Sequence, residues 1–135
     1  MTVEEVNKIV WLSAGGDDYG DFRANYHLNL VLLMMYECHI KPVYIYRLKM
    51  EDIEISANGK VIGSYFTKKG GYHEFEIPEE VWFRLKKYVE KYRISPTEPL
   101  IQVKERNIRD VFKRMTEYYG IEARLIDVYY TGLLK

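Results

Sequence analysis

Residues 30–36 read Leu-Val-Leu-Leu-Met-Met-Tyr, and apolar side chains are nearly continuous from Leu28 to Cys38. A helix lying on a protein surface shows one apolar stripe, whereas a helix that is apolar all round has to be enclosed. The segment Phe22 to Cys38 therefore predicts a helix buried on most of its circumference, and the other elements must supply its cover. The run is far shorter than the roughly 20 residues a bilayer span requires. It reads as the centre of a soluble core.

The covering elements are legible from their periodicities. Thr2-Val3-Glu4-Glu5 fits a capping box, and Val6, Ile9, Val10 and Leu12 carry a helix over about residues 3–12. Ser13 to Asp21 is small, acidic and glycine-rich, which is turn chemistry. Its carboxylates lack the alternation and the closing glutamate of a calcium loop, so a solvated loop is expected. Pro42 suits the first turn of a short helix. Ile53 to Ile55 alternates as a strand, Asn58-Gly59 is a hairpin signal, and Val61 to Phe66 forms the return strand. Lys68 to Gly71 makes a second turn, and Tyr72 to Ile77 alternates until Pro78. Helices follow over Glu79 to Arg93 and over Asn107 to Tyr119, with Gly120 placed to terminate the second. Asp127 is expected to cap a last short helix. The result is an α+β domain over residues 1–135, with helices flanking a three-stranded antiparallel β-meander.

The 20 basic and 20 acidic side chains cancel, which excludes a uniform basic field but leaves room for a local one. The single cysteine, Cys38, rules out an intrachain disulfide and favours a cytoplasmic setting. Glu4 and Glu5 replace the basic start of a signal peptide. His27, His39 and His73 share no metal-ligand spacing, so no metal site is expected. No phosphate-binding loop, dinucleotide fingerprint or nucleophile elbow is present, and no cofactor is expected.

The stretch Asn29 to Ile55 resembles the first active-site box of the tyrosine recombinases, the phage-integrase and Xer-type family. There a buried apolar helix leads into T-G-L-R-I-S-E-L-x-x-L and then an "xxDI" element before a strand. This chain keeps the frame at Ile40, Ile45, Leu48 and Glu51-Asp52-Ile53. Further parts follow in order. Thr2 to Val6 matches the opening T-x-E-E-hydrophobic helix. The turn from Lys68 to Pro78 matches the hairpin that carries a catalytic lysine. Tyr119-Gly120-Ile121 followed by Ile126 to Thr131 stands where the family has Y-G-I and H-x-L-R-H-T.

The resemblance implies a phosphate clamp that has been lost. Transfer of a phosphodiester to a tyrosine oxygen needs donors fixed on the non-bridging oxygens, a general acid and the nucleophile. In the family two arginines hold the phosphate, because the planar guanidinium fork binds it in bidentate fashion. Here Lys41 stands at the first arginine, Tyr44 at an acidic position, Ile126 at the histidine, Tyr129 at the second arginine and Tyr130 at the next basic residue. Lys69 or Lys68 keeps the hairpin lysine. The resemblance also implies a domain truncated before the family's last His/Trp and its tyrosine nucleophile. Loss of one preorganised donor costs about 3–4 kcal/mol in the transition state, so the combined losses predict no catalysis. Tyr129 and Tyr130 occupy the clamp box rather than the nucleophile position. In a chain with 13 tyrosines, a structural or interface role is expected of them.

Binding without cleavage needs only phosphate contacts. Candidates are Lys41, Lys68, Lys69 and His73 around the degenerate clamp, and Lys104, Arg106 and Arg109 in a segment that lies close to DNA in the family; Lys113 and Arg114 form a further small cluster. Glu105 and Asp110 interleave the second group, as in an ordinary solvated helix end. The expectation is a catalytically inactive, recombinase-like protein of phage or other mobile-element origin, associated with duplex DNA or modulating a recombinase. One rival is a protein-interaction module that joins a recombinase or itself through Tyr118, Tyr119, Tyr129 and Tyr130. A second is a fragment of an active strand-transferase.

Overall fold

The structure is a computed structural model that describes residues 1–16 and 22–135. The elements run α1 (Val3–Ser13), α2 (Tyr26–Glu37), α3 (Pro42–Ile45), β1 (Ile53–Ile55), β2 (Val61–Thr67), β3 (Gly71–Ile77), α4 (Glu79–Tyr92), α5 (Glu105–Tyr118) and α6 (Ile126–Leu134). The class is α+β, with an antiparallel sheet in the order β1-β2-β3 and helices before and after it.

Helix α2 is the centre. Leu28, Asn29, Leu30, Val31, Leu32, Met34, Met35 and Tyr36 are all buried, and α1, α3, α4, α5 and α6 pack against it. The one polar side chain among them, Asn29, is satisfied: its amide donates to Val10 O and Ser13 Oγ, each at 3.1 Å. That pair fixes α1 on α2. The apolar run does set the helix, but its start is Tyr26 rather than Phe22. Asn25 takes the N-cap, its side chain accepting the Leu28 N–H at 3.0 Å, and Phe22 packs instead edge-on against Tyr118.

The covering helices use the signals their sequences carry. Thr2 and Glu5 form the capping box reciprocally, at 2.8 and 3.1 Å. Pro42 occupies the first turn of α3. Val81, Leu85 and Tyr88 bury one face of α4, and Ile108, Phe112 and Met115 one face of α5. Helix α5 starts at Glu105, two residues earlier than the apolar spacing implies, because the Lys104 carbonyl already accepts from Asn107 and Ile108. Asp127 does not precede the last helix; it lies inside its first turn and reaches back to the Arg124 N–H at 2.8 Å. The acidic loop reading falls partly on residues 17–21, outside the described residues.

In the first hairpin Gly59 adopts φ +83° and Ser56 N–H donates to Lys60 O at 2.7 Å, so the Asn58-Gly59 signal acts as a turn. Val61, Gly63 and Tyr65 face the same way and pair with Ile77, Phe75 and His73. That face runs from buried at Val61 and Ile77 to exposed at His73, beside the second turn.

Helix α6 closes the fold against the C-terminal end of α2. A Cβ on Gly132 would lie 2.6 Å from the Tyr36 carbonyl oxygen and 3.0 Å from its Cα. Lys135 Nζ binds Glu37 at 2.7 Å and sits 4.0 Å from the Tyr36 ring centroid. Since the obstacle is backbone, Gly132→Ala is expected to force the helices apart and cost about 1–3 kcal/mol, read as a lowered urea midpoint. A second outcome concerns His27, whose Nδ1 lies 2.8 Å from Tyr88 Oη and whose ring packs on Tyr92 at 4.4 Å. Burial lowers its pKa from the ordinary 6.5. The unfolded chain therefore takes the proton first as pH falls below 6.5, and stability drops with it. His27→Gln should flatten this part of the pH–stability curve between pH 7.5 and 5.5; an unchanged slope would refute the assignment.

Candidate nucleic-acid interface

The segment after α2 turns through Cys38 and His39, the latter at φ +58°, and delivers Lys41 to the N-cap of α3. Helix α6 lies beside this turn because it packs on Tyr36. The consequence is that Lys41 Nζ stands 5.9 Å from the centroid of the Tyr129 ring. Two positions 88 residues apart, both singled out in sequence, thus meet through the docking of α6.

Beside them lies an aromatic stack. Tyr44, one turn along α3 from Lys41, stacks on Tyr65 with centroids 4.6 Å apart, and Tyr65 stacks on its cross-strand partner His73 at 5.4 Å. His73 in turn reaches the second hairpin, its Nε2 3.4 Å from Thr67 Oγ1, which also accepts the Gly70 N–H at 2.8 Å. Lys68 and Lys69 project exposed from that turn. The Tyr65 phenol is pushed up in pKa by burial first and then by the neighbouring Tyr129 and Tyr44 phenols. It stays protonated at neutral pH and is no poised nucleophile. Tyr65 escaped the sequence reading, although strand alternation places it on the same side as Val61 and His73.

The surroundings are mixed in charge. A groove of about 610 Å³ on one side of Tyr65 is lined by Glu37, Glu74 and Glu76 together with His39 and His73. Its carboxylates oppose a phosphate. Lys41, Lys68 and Lys69 have no ion-pair partner among the described residues, so what positive potential this face has comes from them. Asp52 has a structural task, accepting the Lys49 N–H at 3.0 Å and holding the 3-10 turn Met50–Asp52 before β1. Ile126 opens α6 half-buried and offers no proton-transferring group.

The second predicted cluster is not joined to the first. Lys104 is the N-cap of α5, Arg109 pairs with Glu105 at 3.6 Å, and Arg106 with Asp110 at 3.9 Å. Exposed i,i+4 pairs contribute little stability, about 0.3–0.5 kcal/mol, but they largely cancel the field that would attract a phosphate. The link between this helix end and α3 is Tyr46, whose phenol is pushed up to about 12 by burial and by Glu105, against Arg109. Cys38 is buried beside Met34, its thiol raised to about 12 by burial and by Glu37, so it is inert. Among the described residues no group of three His, Cys, Asp or Glu side chains converges as a metal site.

No family model matches the chain, and no curated protein matches it. Among solved structures, that of XerA recombinase superposes with a TM-score of 0.65 over 99% of this chain, at 14% sequence identity. The match takes in 50% of that protein's chain, so this chain spans half its length. At such identity the likeness concerns the fold: the helices and β-meander form a recombinase-like α+β fold. Among the described residues no helix is long and apolar enough to cross a membrane.

Tyr46 Oη is buried with no hydrogen-bond partner among the described residues. Removing an unsatisfied buried hydroxyl relieves its desolvation cost. Tyr46→Phe is therefore expected to be neutral or stabilising by up to about 1 kcal/mol in chemical denaturation, and to remove one late-titrating phenol from the ultraviolet pH titration.

Proposed function

We propose that this chain is a catalytically inactive tyrosine-recombinase-like protein of mobile-element origin that associates with DNA without cutting it, as a regulator or a modulator of recombination. The observation that carries the reading is the Lys41–Tyr129 pair. The fold brings Lys41 and Tyr129 together, an ammonium 5.9 Å from a phenol ring, and the sequence resemblance is what aligns these two residues with the family's arginines. An ammonium is a point charge and a phenol adds one weak donor, so neither reproduces two planar forks on a phosphate. Ile126 supplies no acid, and the Tyr44–Tyr65–His73 stack adjoins the place where a phosphate would seat. Contact with DNA then falls to Lys41, Lys68 and Lys69, which remain exposed and unpaired among the described residues.

A protein-interaction module is the second reading, supported by the outer face of α6. Tyr130, Leu133 and Leu134 are exposed there, Leu134 at 89%. Such an apolar stripe suits another recombinase or a second copy.

A mobility-shift assay on duplex DNA separates these readings. The proposal expects binding at low salt that weakens steeply with added salt and is lost in Lys68→Glu/Lys69→Glu, with no covalent adduct on a nicked suicide duplex. An adduct would make the protein an active strand-transferase. Absence of any shift at low salt would sink DNA association and leave the interaction module.

A further inference from the structure

The most concentrated positive charge on this neutral chain is not at the degenerate clamp. A groove of about 650 Å³ between α4 and the N-terminal half of α2 is lined by Arg84, Lys87, Lys91 and Arg93, with Glu90 the one carboxylate among the described residues that line it. All four cations are exposed, and none has an ion-pair partner among the described residues. The contrast with α5, where Arg106, Arg109 and Lys113 are each paired with an acid, is a contrast in function of the charge. On α4 the ammonium groups are held by rings instead. Lys87 Nζ lies 4.5 Å from the Phe83 centroid and Lys91 Nζ 5.4 Å from that of Tyr26. A ring orders a cation without cancelling it.

The backbone adds a second, independent sign. Arg93 closes α4 in the left-handed region at φ +52°, a position that glycine normally takes. A side chain there is strained, and this one lines the groove. Strain kept at a charged, solvent-facing position points to use of the side chain.

We propose that this groove binds a single-stranded nucleic acid. Arg84, Lys87 and Lys91 stand in one row along α4, at steps of about 4.5 and 6 Å along the axis, within reach of successive phosphates on one strand. Tyr26 and Phe83 flank the row, 38% and 54% exposed, and offer faces on which unpaired bases stack. In a duplex the base faces are already stacked on one another, and a peptide of aspartates and glutamates carries no aromatic ring to stack on these two side chains. The first turn of α2 adds its partial positive charge. The site is separate from the Lys41 cluster, which lies beyond the opposite end of α2, a helix about 18 Å long. It therefore stands or falls independently of the recombinase reading.

The test is fluorescence anisotropy of a labelled oligothymidylate of about 12 nucleotides, inside the usual span of one such module. Binding is expected at 50 mM salt and is expected to weaken roughly 20- to 50-fold by 200 mM, as three or four phosphate contacts require. Lys87→Glu/Lys91→Glu should lower the affinity at least tenfold, while Lys60→Glu, a reversal on the exposed first hairpin, should not. Arg93→Gly should weaken binding and raise the melting temperature together, which loss of folding cannot imitate. The proposal is overturned if the oligonucleotide does not bind, or if Lys68→Glu/Lys69→Glu abolishes binding and the α4 variant does not. It also fails if polyglutamate or inorganic triphosphate binds as tightly as the strand. Persistence of strand binding in a protein that fails to shift duplex would sink the duplex reading alone.

Discussion

Everything in this fold is arranged around a helix that cannot face water. Because α2 is apolar on nearly all sides, five other helices each have to give it a face, and their amphipathic patterns exist to do so. The tightest of these approaches, α6 over Tyr36, needs a residue without a side chain at Gly132. That contact has a consequence away from the core. It fixes where Tyr129 stands, and so determines that the ammonium of Lys41 meets a phenol ring rather than empty solvent. The geometry of the Lys41–Tyr129 pair is thus a by-product of core packing.

Charge is the second organising quantity, and here the total misleads. Equal numbers of acids and bases make the chain neutral, yet the cations are sorted by what they touch. On α5 Arg106, Arg109 and Lys113 lie four residues from carboxylates and are spent on exposed pairs. On α4 no cation is ion-paired among the described residues, and Lys86, Lys87 and Lys91 sit over aromatic rings instead, so the charge stays available to a ligand. Beside Tyr65 carboxylates dominate one groove while the hairpin lysines stand clear of it. A neutral protein can therefore present a local field, provided its acids and bases are segregated by face.

Much of the scaffold could be read in advance because its signals are local. The Thr2–Glu5 box, Pro42, Asn58-Gly59 and Gly120 act within a few residues, and each ended or started an element where expected. The misses also have local causes. Apolar continuity could not locate the start of α2, since the deciding bond is from the Asn25 side chain. Asp127 carried the right chemistry two residues past the N-cap, reaching back into the preceding backbone. Of the candidate site, Lys41 and Tyr129 were visible as positions. Tyr65 was hidden among 13 tyrosines, and the basic groove between α4 and α2 was not visible at all.

By itself, then, the sequence determined the order and type of the elements, the enclosure of α2 and the identities of the side chains at positions 41 and 129. Those properties follow from periodicity, capping and residue identity, which act over a few residues or none. Only the tertiary structure decided that Tyr129 lies over Lys41, that Tyr44, Tyr65 and His73 form one stack, and that the cations of α4 have no ion pair among the described residues while Arg106, Arg109 and Lys113 of α5 do. Such pairings depend on which helix faces meet and how closely backbones approach. They are set by the packing of the whole chain around α2, and no short stretch of it contains them.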